Sequence, residues 1–304
     1  MIRPSSFGFN EETAASNAFQ HTEVAGEDPQ SRALAEFDRF VEQLRYEGIE
    51  VVVVDDTPTP RTPDALFPNN WVSFHSDGRV VLYPMLAPNR RLERRRDVID
   101  RLATSFQVGA IVDLTEFERD DRALEGTGSL VLDRERRLAY AALSPRTDRD
   151  ILQLFADRMA YRAVPFDTDD GSGQPVYHTN VILSVADTFA VVCSDVIASA
   201  DRGRVLDSLA ESHDVIEIDR SQMFGFAGNV LALRDAAGGR RLVISTTARR
   251  ALRDDQCRRL DAHASPIEVD IPTIERHGGG GVRCMLAELF LPRRPGAPLL
   301  SSRR

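Results

Sequence analysis

A pattern that recurs roughly every fifty residues constrains the fold of this 304-residue chain more than any other feature. In each copy, a small polar residue or a glycine precedes an apolar strand, a turn and a second apolar strand. The equivalent positions in the five copies are Asn70, Gly128, Asn180, Asn229 and Arg283. Such a repeat predicts one fold built from similar units, because each unit must pack on its neighbours to bury its apolar face.

The segments between the hairpins also repeat. Each hairpin is followed by a segment with the apolar spacing of a helix, and then by a short apolar strand. The predicted helices span residues 31–46, 90–104, 148–160, 202–212 and 248–263. The predicted strands after them span residues 49–54, 110–114, 162–166, 214–218 and 266–271. This order predicts an α/β protein made of ββαβ units.

The two ends of the chain are expected to complete the fifth unit. That unit has one hairpin strand, residues 284–291, and residues 2–9 are expected to supply the second. Their pairing would close a ring and remove exposed sheet edges. We therefore predict an α/β propeller with five-fold pseudo-symmetry, in which the first hairpin strands surround a central channel. Residues 1–292 form a single domain in this prediction, and residues 293–304 form a flexible tail.

Composition disfavours several classes of function. The formal net charge of −9 argues against nucleic acid or an anionic membrane as the partner. The three cysteines, Cys193, Cys257 and Cys284, lack the paired spacing of a disulfide framework or a zinc cluster, so we expect no metal. No apolar run reaches the length of a membrane span, and the N-terminus lacks a signal pattern. A cytoplasmic location is therefore expected.

Cys284 is the first candidate for chemistry. It follows four consecutive glycines, 278–281, and begins an apolar run that continues to Leu291. A strand starting here would hold the sulfur in place, the glycine loop would close on a ligand, and Arg283 would help to stabilise a thiolate. The alternative for this stretch is a buried structural cysteine after a flexible loop.

The starts of the other hairpins carry polar residues that the ring would bring to one site. Glu125 and His178 join Cys284 there, and thiol catalysis needs these three residue types. Taken alone, Glu125 could cap a turn and His178 could be a hydrogen-bonded core residue, but their equivalent positions in the repeat favour catalysis. The remaining channel residues, which we expect to contact substrate, are Asn69, Asn70, Asn180, Asn229 and Gly281.

Several motifs together resemble the guanidino-group-modifying enzymes of the pentein fold. They are LEGTG from residue 124, HTN from residue 178 and GGVRCM from residue 280. Within that superfamily, FPNNW from residue 67, SPRT from residue 144 and FAGN from residue 226 are most similar to the amidinotransferase-like branch that contains the citrulline-utilisation hydrolases. The resemblance spans residues 3–292. It implies a covalent adduct of Cys284, acid and base roles for His178 and Glu125, and no metal or organic cofactor.

Two asparagines bear on the substrate. In the arginine-specific enzymes that this chain resembles, aspartates usually occupy the positions of Asn70 and Asn180 and clamp the guanidinium. An amide offers both a donor and an acceptor, which suits the neutral ureido group of citrulline better than a cation. Asp64, Asp167 or Asp169 could instead supply a carboxylate from a neighbouring loop.

The carboxylate of an amino-acid substrate also needs a partner. Arg146 is the first candidate, because its segment resembles a carboxylate-binding one in arginine deiminases. Arg90 or Arg91 is the second by the same likeness, and a planar guanidinium pairs with a carboxylate through two hydrogen bonds. The alternative for each is a surface arginine.

The leading hypothesis is hydrolysis of the ureido group of citrulline to ornithine, carbon dioxide and ammonia. A second hypothesis keeps the thiol chemistry but acts on a guanidine, as an arginine deiminase or an amidinotransferase. A third is a non-catalytic pentein binding module. In the first two hypotheses the partner is a small-molecule amino-acid substrate. The sequence leaves open whether the chain forms a homo-oligomer. The polar stretch 10–30 is expected to be a flap over the channel or a long surface loop.

Overall fold

The structure of the chain, a computed structural model, describes residues 1–14, 16–21 and 28–297 and is an α/β protein. The strands are β1 (Ile2–Arg3), β2 (Val54–Asp55), β3 (Val72–Phe74), β4 (Val80–Leu82), β5 (Ile111–Asp113), β6 (Val131–Asp133), β7 (Leu138–Ala142), β8 (Arg162–Phe166), β9 (Leu183–Val185), β10 (Phe189–Val192), β11 (Asp214–Glu217), β12 (Leu231–Arg234), β13 (Arg240–Ser245) and β14 (Ser265–Val269). The α-helices are α1 (Glu11–Ala14), α2 (Pro29–Tyr46), α3 (Pro88–Arg91), α4 (Arg96–Ala103), α5 (Gly126–Ser129), α6 (Arg149–Met159), α7 (Ser199–Ala210), α8 (Arg220–Phe224), α9 (Thr246–Ala251), α10 (Asp254–His263) and α11 (Pro272–Gly278).

Four three-stranded sheets repeat one arrangement: β3-β4-β5, β6-β7-β8, β9-β10-β11 and β12-β13-β14. In each sheet the two hairpin strands pair antiparallel, and the third strand joins the second hairpin strand in parallel. In the first sheet, for example, Val81 lies opposite Ser73 on one side and Val112 on the other. The predicted order of hairpin and parallel strand is therefore present in four units.

The first strands of these sheets face a common space. Side chains of β3, β6, β9 and β12, together with residues 286–291, line one cavity of about 700 Å³. Segments that are far apart in the chain thus meet around a single opening. This is the feature that brings the starts of the repeat units together.

Local signals explain where the helices form. The Asp28 side chain accepts a hydrogen bond from the Ser31 N–H at 3.0 Å, and Pro29 occupies the first position of α2. Phe37, Phe40, Val41 and Leu44 are buried along one face of α2. Within the described ranges, no helix is both long and apolar enough to cross a lipid bilayer.

The predicted helix boundaries need three corrections. The predicted helix 90–104 is two helices, α3 and α4, and the predicted helix 248–263 is also two, α9 and α10. A new helix begins at α10 because the Gln256 side chain accepts a hydrogen bond from the Arg253 N–H at 2.8 Å. Helix α11 was not expected. Its first N–H groups, on Thr273 and Ile274, donate at 3.0 Å to the carboxylate of Glu36 in α2, a residue that is far away in the sequence.

The ends of the chain differ from the expectation. Residues 284–291 form no strand; Cys284 lies in a turn, where its N–H donates to the Gly281 carbonyl at 3.1 Å. The apolar run was taken for a strand, but it pairs with no strand in the described part of the chain, and Met285, Leu286 and Leu291 are buried without such pairing. Strand β1 pairs in parallel with β2 instead. The predicted tail is fixed at its start, because the Arg294 N–H donates to the Ser105 carbonyl at 2.9 Å.

Candidate active site

Short helical turns hold the three predicted catalytic residues. Glu125 immediately precedes α5, and His178 precedes a 3₁₀ turn, Thr179–Val181. Cys284 lies in the turn that follows α11. All three side chains are buried. The repeat therefore places equivalent positions of separate units at one buried location.

His178 and Glu125 form a hydrogen-bonded pair. His178 Nε2 lies 2.8 Å from Glu125 Oε2. Although burial opposes the charge of Glu125, Arg146 and the bond from His178 hold the pKa of this carboxyl well below its ordinary range. An ionised carboxylate can only accept hydrogen bonds, so Nε2 carries the proton and Nδ1 is left as the basic nitrogen. Burial lowers the pKa of His178 to about 4, so the imidazole is neutral at neutral pH.

The Cys284 sulfur is surrounded by amides. Asn229 Nδ2 donates to Sγ at 3.3 Å and Asn180 Nδ2 donates at 3.5 Å. Burial raises the pKa of the Cys284 thiol, while these two donors act in the opposite direction by stabilising the thiolate. The free protein therefore holds a neutral thiol beside a neutral imidazole, with donors already placed for the anion that forms when the proton moves.

A narrow cavity of about 10 Å³ opens between the thiol and the histidine. Asp64 and Asn70 line it together with Cys284 and His178. Asp64 is buried, and its Oδ1 has no hydrogen-bond partner within the described part of the chain. The Asn70 Nδ2 is likewise unpartnered there, while its Oδ1 accepts from Arg90 at 3.1 Å. The cavity thus offers one carboxylate oxygen and one amide N–H to a ligand.

Two predicted arginines lie on the same cavity. Arg90 is buried and bonds the carboxylate of Glu93 through Nε at 2.9 Å and through Nη2 at 3.0 Å. Arg146 is also buried; its Nη2 donates to Ser16 Oγ at 2.7 Å, and its guanidinium lies 3.5 Å from Glu125. Both arginines line the cavity that contains the thiol and the histidine.

The structure places other predicted substrate contacts outside this cavity. Arg91 donates to the carbonyl oxygens of Met85 and Leu86 at 3.0 and 3.1 Å. Its guanidinium therefore stabilises the local backbone and does not line the cavity. Asn69 is buried outside the cavity, and its side chain has no hydrogen-bond partner in the described ranges. The Gly281 carbonyl accepts from the Cys284 N–H, so Gly281 shapes the turn that carries the thiol.

Asn180 and Asn229 do not line the cavity either; their side chains bond other groups of the protein. Besides their bonds to sulfur, Asn229 Nδ2 donates to the Asn180 carbonyl at 3.0 Å, and its Oδ1 accepts from the Arg283 N–H at 3.1 Å. The Arg283 guanidinium points away, to the Leu286 carbonyl at 3.0 Å and to Glu288 at 3.1 Å. Its positive charge nevertheless lowers the pKa of the Cys284 thiol, as expected for Arg283 beside the thiolate, although its own hydrogen bonds go elsewhere.

Sequence reasoning missed much of the wall of the cavity. Asn17 and Tyr177 line it, and the Tyr177 hydroxyl donates to the Gly279 carbonyl at 2.7 Å. Asn10 donates to Asp64 at 2.7 Å and Asn17 lines the cavity, so part of the stretch predicted as a flap or a surface loop contacts the site. Residues 15 and 22–27 of the predicted flap lie outside the described residues. The one signal in the sequence for these wall residues was that Tyr177 directly precedes His178.

Of the three alternative carboxylates, the structure brings only Asp64 to the site. Asp169 accepts hydrogen bonds from the Gly171 and Gly173 N–H groups in an exposed loop. Asp167 is exposed as well. No group of three or more histidine, cysteine, aspartate or glutamate side chains in the described ranges is arranged to hold a metal ion.

Comparisons with known proteins agree with this architecture. The sequence model of the family described as N,N dimethylarginine dimethylhydrolase, eukaryotic, matches residues 3–291. No curated protein sequence gives a match. The N-terminal domain of ArgZ, an arginine dihydrolase from the ornithine-ammonia cycle in Cyanobacteria, solved as a cysteine-to-serine mutant bound to substrate, superposes with a TM-score of 0.72 at 16% identity, over 94% of this chain and 95% of that chain.

Two further solved structures are similar. A cysteine-to-alanine mutant of AgrE in complex with L-arginine gives a TM-score of 0.76 at 17% identity, over 98% of this chain and 41% of that chain. A histidine-to-glycine mutant of dimethylarginine dimethylaminohydrolase, as its adduct with S-methyl-L-thiocitrulline, gives a TM-score of 0.66 at 16% identity, over 96% of this chain and 98% of that chain. The present chain thus spans about two fifths of AgrE.

The fold, with its buried cysteine and its histidine–glutamate pair, defines a protein of the pentein superfamily of guanidino-group-modifying enzymes. More narrowly, the chain belongs to the N,N dimethylarginine dimethylhydrolase family. The resemblance stated from the sequence motifs is confirmed at the level of the superfamily. The protein is accordingly an enzyme of a family that acts on guanidino C–N bonds.

Proposed function

We propose that this protein hydrolyses the ureido group of citrulline, giving ornithine, carbon dioxide and ammonia through a covalent adduct on Cys284. The observation that carries this proposal is the unpartnered amide N–H of Asn70, which lines the cavity together with the thiol. Asn180 and Asn229 donate to the sulfur, so Asn70 is the amide left for the substrate. A ureido oxygen accepts a hydrogen bond from such a donor, whereas a guanidinium carries only N–H donors and needs acceptors.

The first half of the reaction forms the adduct. Nδ1 of His178 takes the proton of the Cys284 thiol, and the sulfur attacks the ureido carbon while negative charge develops on the ureido oxygen. The Asn70 N–H is placed to receive that charge. His178 then returns the proton to the nitrogen of the leaving amine, the C–N bond breaks, and ornithine departs. Glu125 holds the imidazole and stabilises its cationic form throughout.

The second half releases the carbamoyl group. His178, neutral again, takes a proton from a water molecule, which attacks the S-carbamoyl carbon. The C–S bond breaks, the thiol regains its proton from His178, and the carbamate product decomposes to carbon dioxide and ammonia. The buried pair of His178 and Glu125 thus acts as acid and base in turn, without a net change.

The charged groups of the cavity suit the other end of an amino acid. Arg90 or Arg146 pairs with the substrate carboxylate, and Asp64 pairs with the α-ammonium group. In this arrangement the free carboxylate oxygen of Asp64 is occupied by the ammonium group. No unpaired carboxylate oxygen of the cavity is then left to select a guanidinium, which fits a ureido substrate.

A second candidate is arginine, and the free oxygen of Asp64 favours it. If Asp64 pairs with a guanidinium instead of an ammonium group, the same thiol could release ammonia from arginine and then process the citrulline formed. The ArgZ structure, of an arginine dihydrolase bound to its substrate, shows that this fold accommodates such chemistry in another protein.

We also infer that the chain forms one domain, residues 1–292, closed as a ring of five units. The support is that four sheets and the segment 286–291 line a single cavity, and that Ile2 and Leu291 are buried in one apolar cluster with β2 between the chain ends. The β1–β2 pair then takes the place of the second and third strands of the fifth unit.

The first test is incubation of the purified protein with citrulline and, separately, with arginine, followed by amino-acid analysis. We expect ornithine from citrulline, and no product with Cys284→Ala. Citrulline accumulating from arginine, with no turnover of citrulline, would contradict the proposal. A product-forming Cys284→Ala variant would show that the thiol is not the nucleophile, and slow alkylation of Cys284 with no turnover of either substrate would favour a binding module.

The substitution Asp64→Asn separates the two substrates, with Asp169→Asn in the exposed loop as the matched control. If Asp64 binds the α-ammonium group, we expect kcat/KM for citrulline to fall by about tenfold to a hundredfold, the usual range for a lost charged pair. A loss confined to arginine would instead assign Asp64 to the guanidinium. Asp169→Asn should leave both substrates unchanged.

A further inference from the structure

The large cavity between the first strands has no part in the reaction above. Its volume of about 700 Å³ lies in the range of small-molecule sites, whereas the thiol opens on a separate, narrow cavity. Most of its wall is apolar, from residues such as Val72, Leu183 and Leu289. A site of this size and lining has room for a ligand with an apolar body.

Two arginines inside this cavity share one carboxylate. Arg283 Nη2 lies 3.1 Å from Glu288 Oε2, and Arg134 Nη2 lies 3.7 Å from the same oxygen. The Arg283 side chain is only 9% exposed, so its charge is largely removed from water. Two cations facing one anion leave an excess positive charge, which is costly in a poorly hydrated place.

The other charged groups of the cavity do not pair with Glu288. Arg234 pairs with Asp187, Arg293 pairs with Glu50 and Arg136 bonds Glu211. The remaining charged residues of the lining are Asp133, Glu135 and Arg240; Asp133 Oδ2 has no hydrogen-bond partner in the described ranges and lies 3.8 Å from His213 Nε2. The local excess of positive charge around Glu288 therefore belongs to Arg134 and Arg283.

Unpartnered donors line the same cavity. Trp71 is 1% exposed and lines the cavity, and its indole N–H has no hydrogen-bond partner among residues 1–14, 16–21 and 28–297. The Ser184 hydroxyl also lines the cavity without a partner in those ranges. An indole N–H can only donate, so what it lacks is an acceptor. The Cζ atom of Arg134 lies 4.0 Å from the centroid of the Phe290 ring, so the charged group lies next to an apolar side chain of the cavity.

We propose that this cavity binds a small organic carboxylate with an apolar body, held by the guanidinium groups of Arg134 and Arg283. The carboxylate supplies the missing negative charge and the acceptor that the unpartnered donors lack, while its apolar part covers the strand side chains. This site is separate from Cys284 and does not depend on which substrate the thiol attacks.

Trp71 provides the measurement, because it is the only tryptophan of the chain and lies on the cavity wall. The intact protein is titrated with phenylbutyrate and with its neutral amide, phenylbutyramide, while tryptophan fluorescence is recorded. We expect saturable change with the acid, and binding at least tenfold weaker with the amide. An equal affinity for both compounds, or no saturable change with the acid, overturns the proposal.

Two variants make the test independent of folding failure. Arg134→Gln should weaken phenylbutyrate at least tenfold, whereas Glu288→Gln removes the competing carboxylate and should tighten it severalfold. Damage to the fold cannot tighten binding, so the result with Glu288→Gln remains a valid test even if Arg134→Gln fails to fold. Arg258→Gln, an exposed arginine outside the cavity, is the matched control and should change nothing. A Glu288→Gln variant that binds no tighter than the wild type overturns the assignment.

Discussion

The thiol of Cys284 depends on hydrogen bonds that two amides donate. Burial alone would make the thiolate unfavourable, and the buried donors of Asn180 and Asn229 reduce that cost. The charge of Arg283 also lowers the pKa of the thiol, although the guanidinium itself is hydrogen-bonded to Glu288. At the residue scale, the side-chain hydrogen bonds to the nucleophile therefore come from neutral amides, and one nearby cation adds to their effect.

Replacing Asn229 by alanine should make the thiol harder to ionise. A hydrogen bond to a charged group contributes about 1.5–3 kcal/mol, so its loss should raise the pKa of Cys284 further. The measurement is the pH dependence of iodoacetamide alkylation, made in a Cys257→Ser background because Cys257 is half-buried and would also react. The pH profile, unlike the rate at one pH, is insensitive to a change in access. An unshifted profile would mean that the bond to sulfur is unimportant in solution.

At the scale of elements, the site depends on how closely α5 approaches its neighbours. A Cβ placed on Gly128 would lie 2.3 Å from Asn70 Nδ2 and 2.8 Å from His178 Nδ1. A glycine is therefore required at this position, because three repeat units meet here and leave no room for a side chain. The same short helix begins beside Glu125, so its position also fixes the partner of His178.

Gly128→Ala should consequently displace both the amide and the imidazole. We expect kcat for citrulline to fall by about a hundredfold or more, as is common when reacting groups move by an ångström. The matched control is Gly203→Ala, since Gly203 lies inside α7 with nothing within 4 Å of its added Cβ. That control should retain activity and gain about 0.5–1 kcal/mol of stability. Comparable activity in the two variants would contradict the role given to Gly128.

At the scale of the whole molecule, distant segments fix the cysteine turn. Helix α11 begins on the carboxylate of Glu36 in α2, and it ends at Gly279, whose φ of +62° reverses the chain toward the thiol. Glu275 lies in the same helix, and its burial raises the pKa of its carboxyl to about 7. Folding therefore retains a proton on Glu275 that the unfolded chain loses above about pH 4.5.

This protonation makes a testable contribution to stability. Because the folded-state pKa is the higher one, the contribution is complete below pH 4.5 and is lost as pH rises through about 7. Glu275→Gln cannot ionise, so it should exceed the wild type in free energy of unfolding at about pH 8, by on the order of 2 kcal/mol. Near pH 5 the two proteins should be nearly equal. Urea denaturation at both pH values measures this, and a difference independent of pH would contradict it.

The amino-acid sequence determined the repeat, and with it the α/β class, four hairpin units and the positions of Cys284, His178 and Glu125. These follow from local information, because hydrophobic period and turn residues are written in contiguous stretches. The equivalence of positions within the repeat then predicted which distant residues meet. Asn70 was predicted at the site for that reason, whereas Arg90 and Arg146 were predicted from their likeness to arginine deiminases; all three line the cavity.

Tertiary structure alone decided the remaining features. Whether Asn180 faces the substrate or the sulfur, and whether Arg90 or Arg91 faces the cavity, depends on packing between segments that no local pattern encodes. The start of α11 depends on Glu36, which lies 237 residues from Thr273 in the chain. Asp64 became the carboxylate of the cavity because its loop folds against Asn10 and Thr13. Such contacts are selected by the free energy of the whole fold, so they become visible only when the chain is assembled.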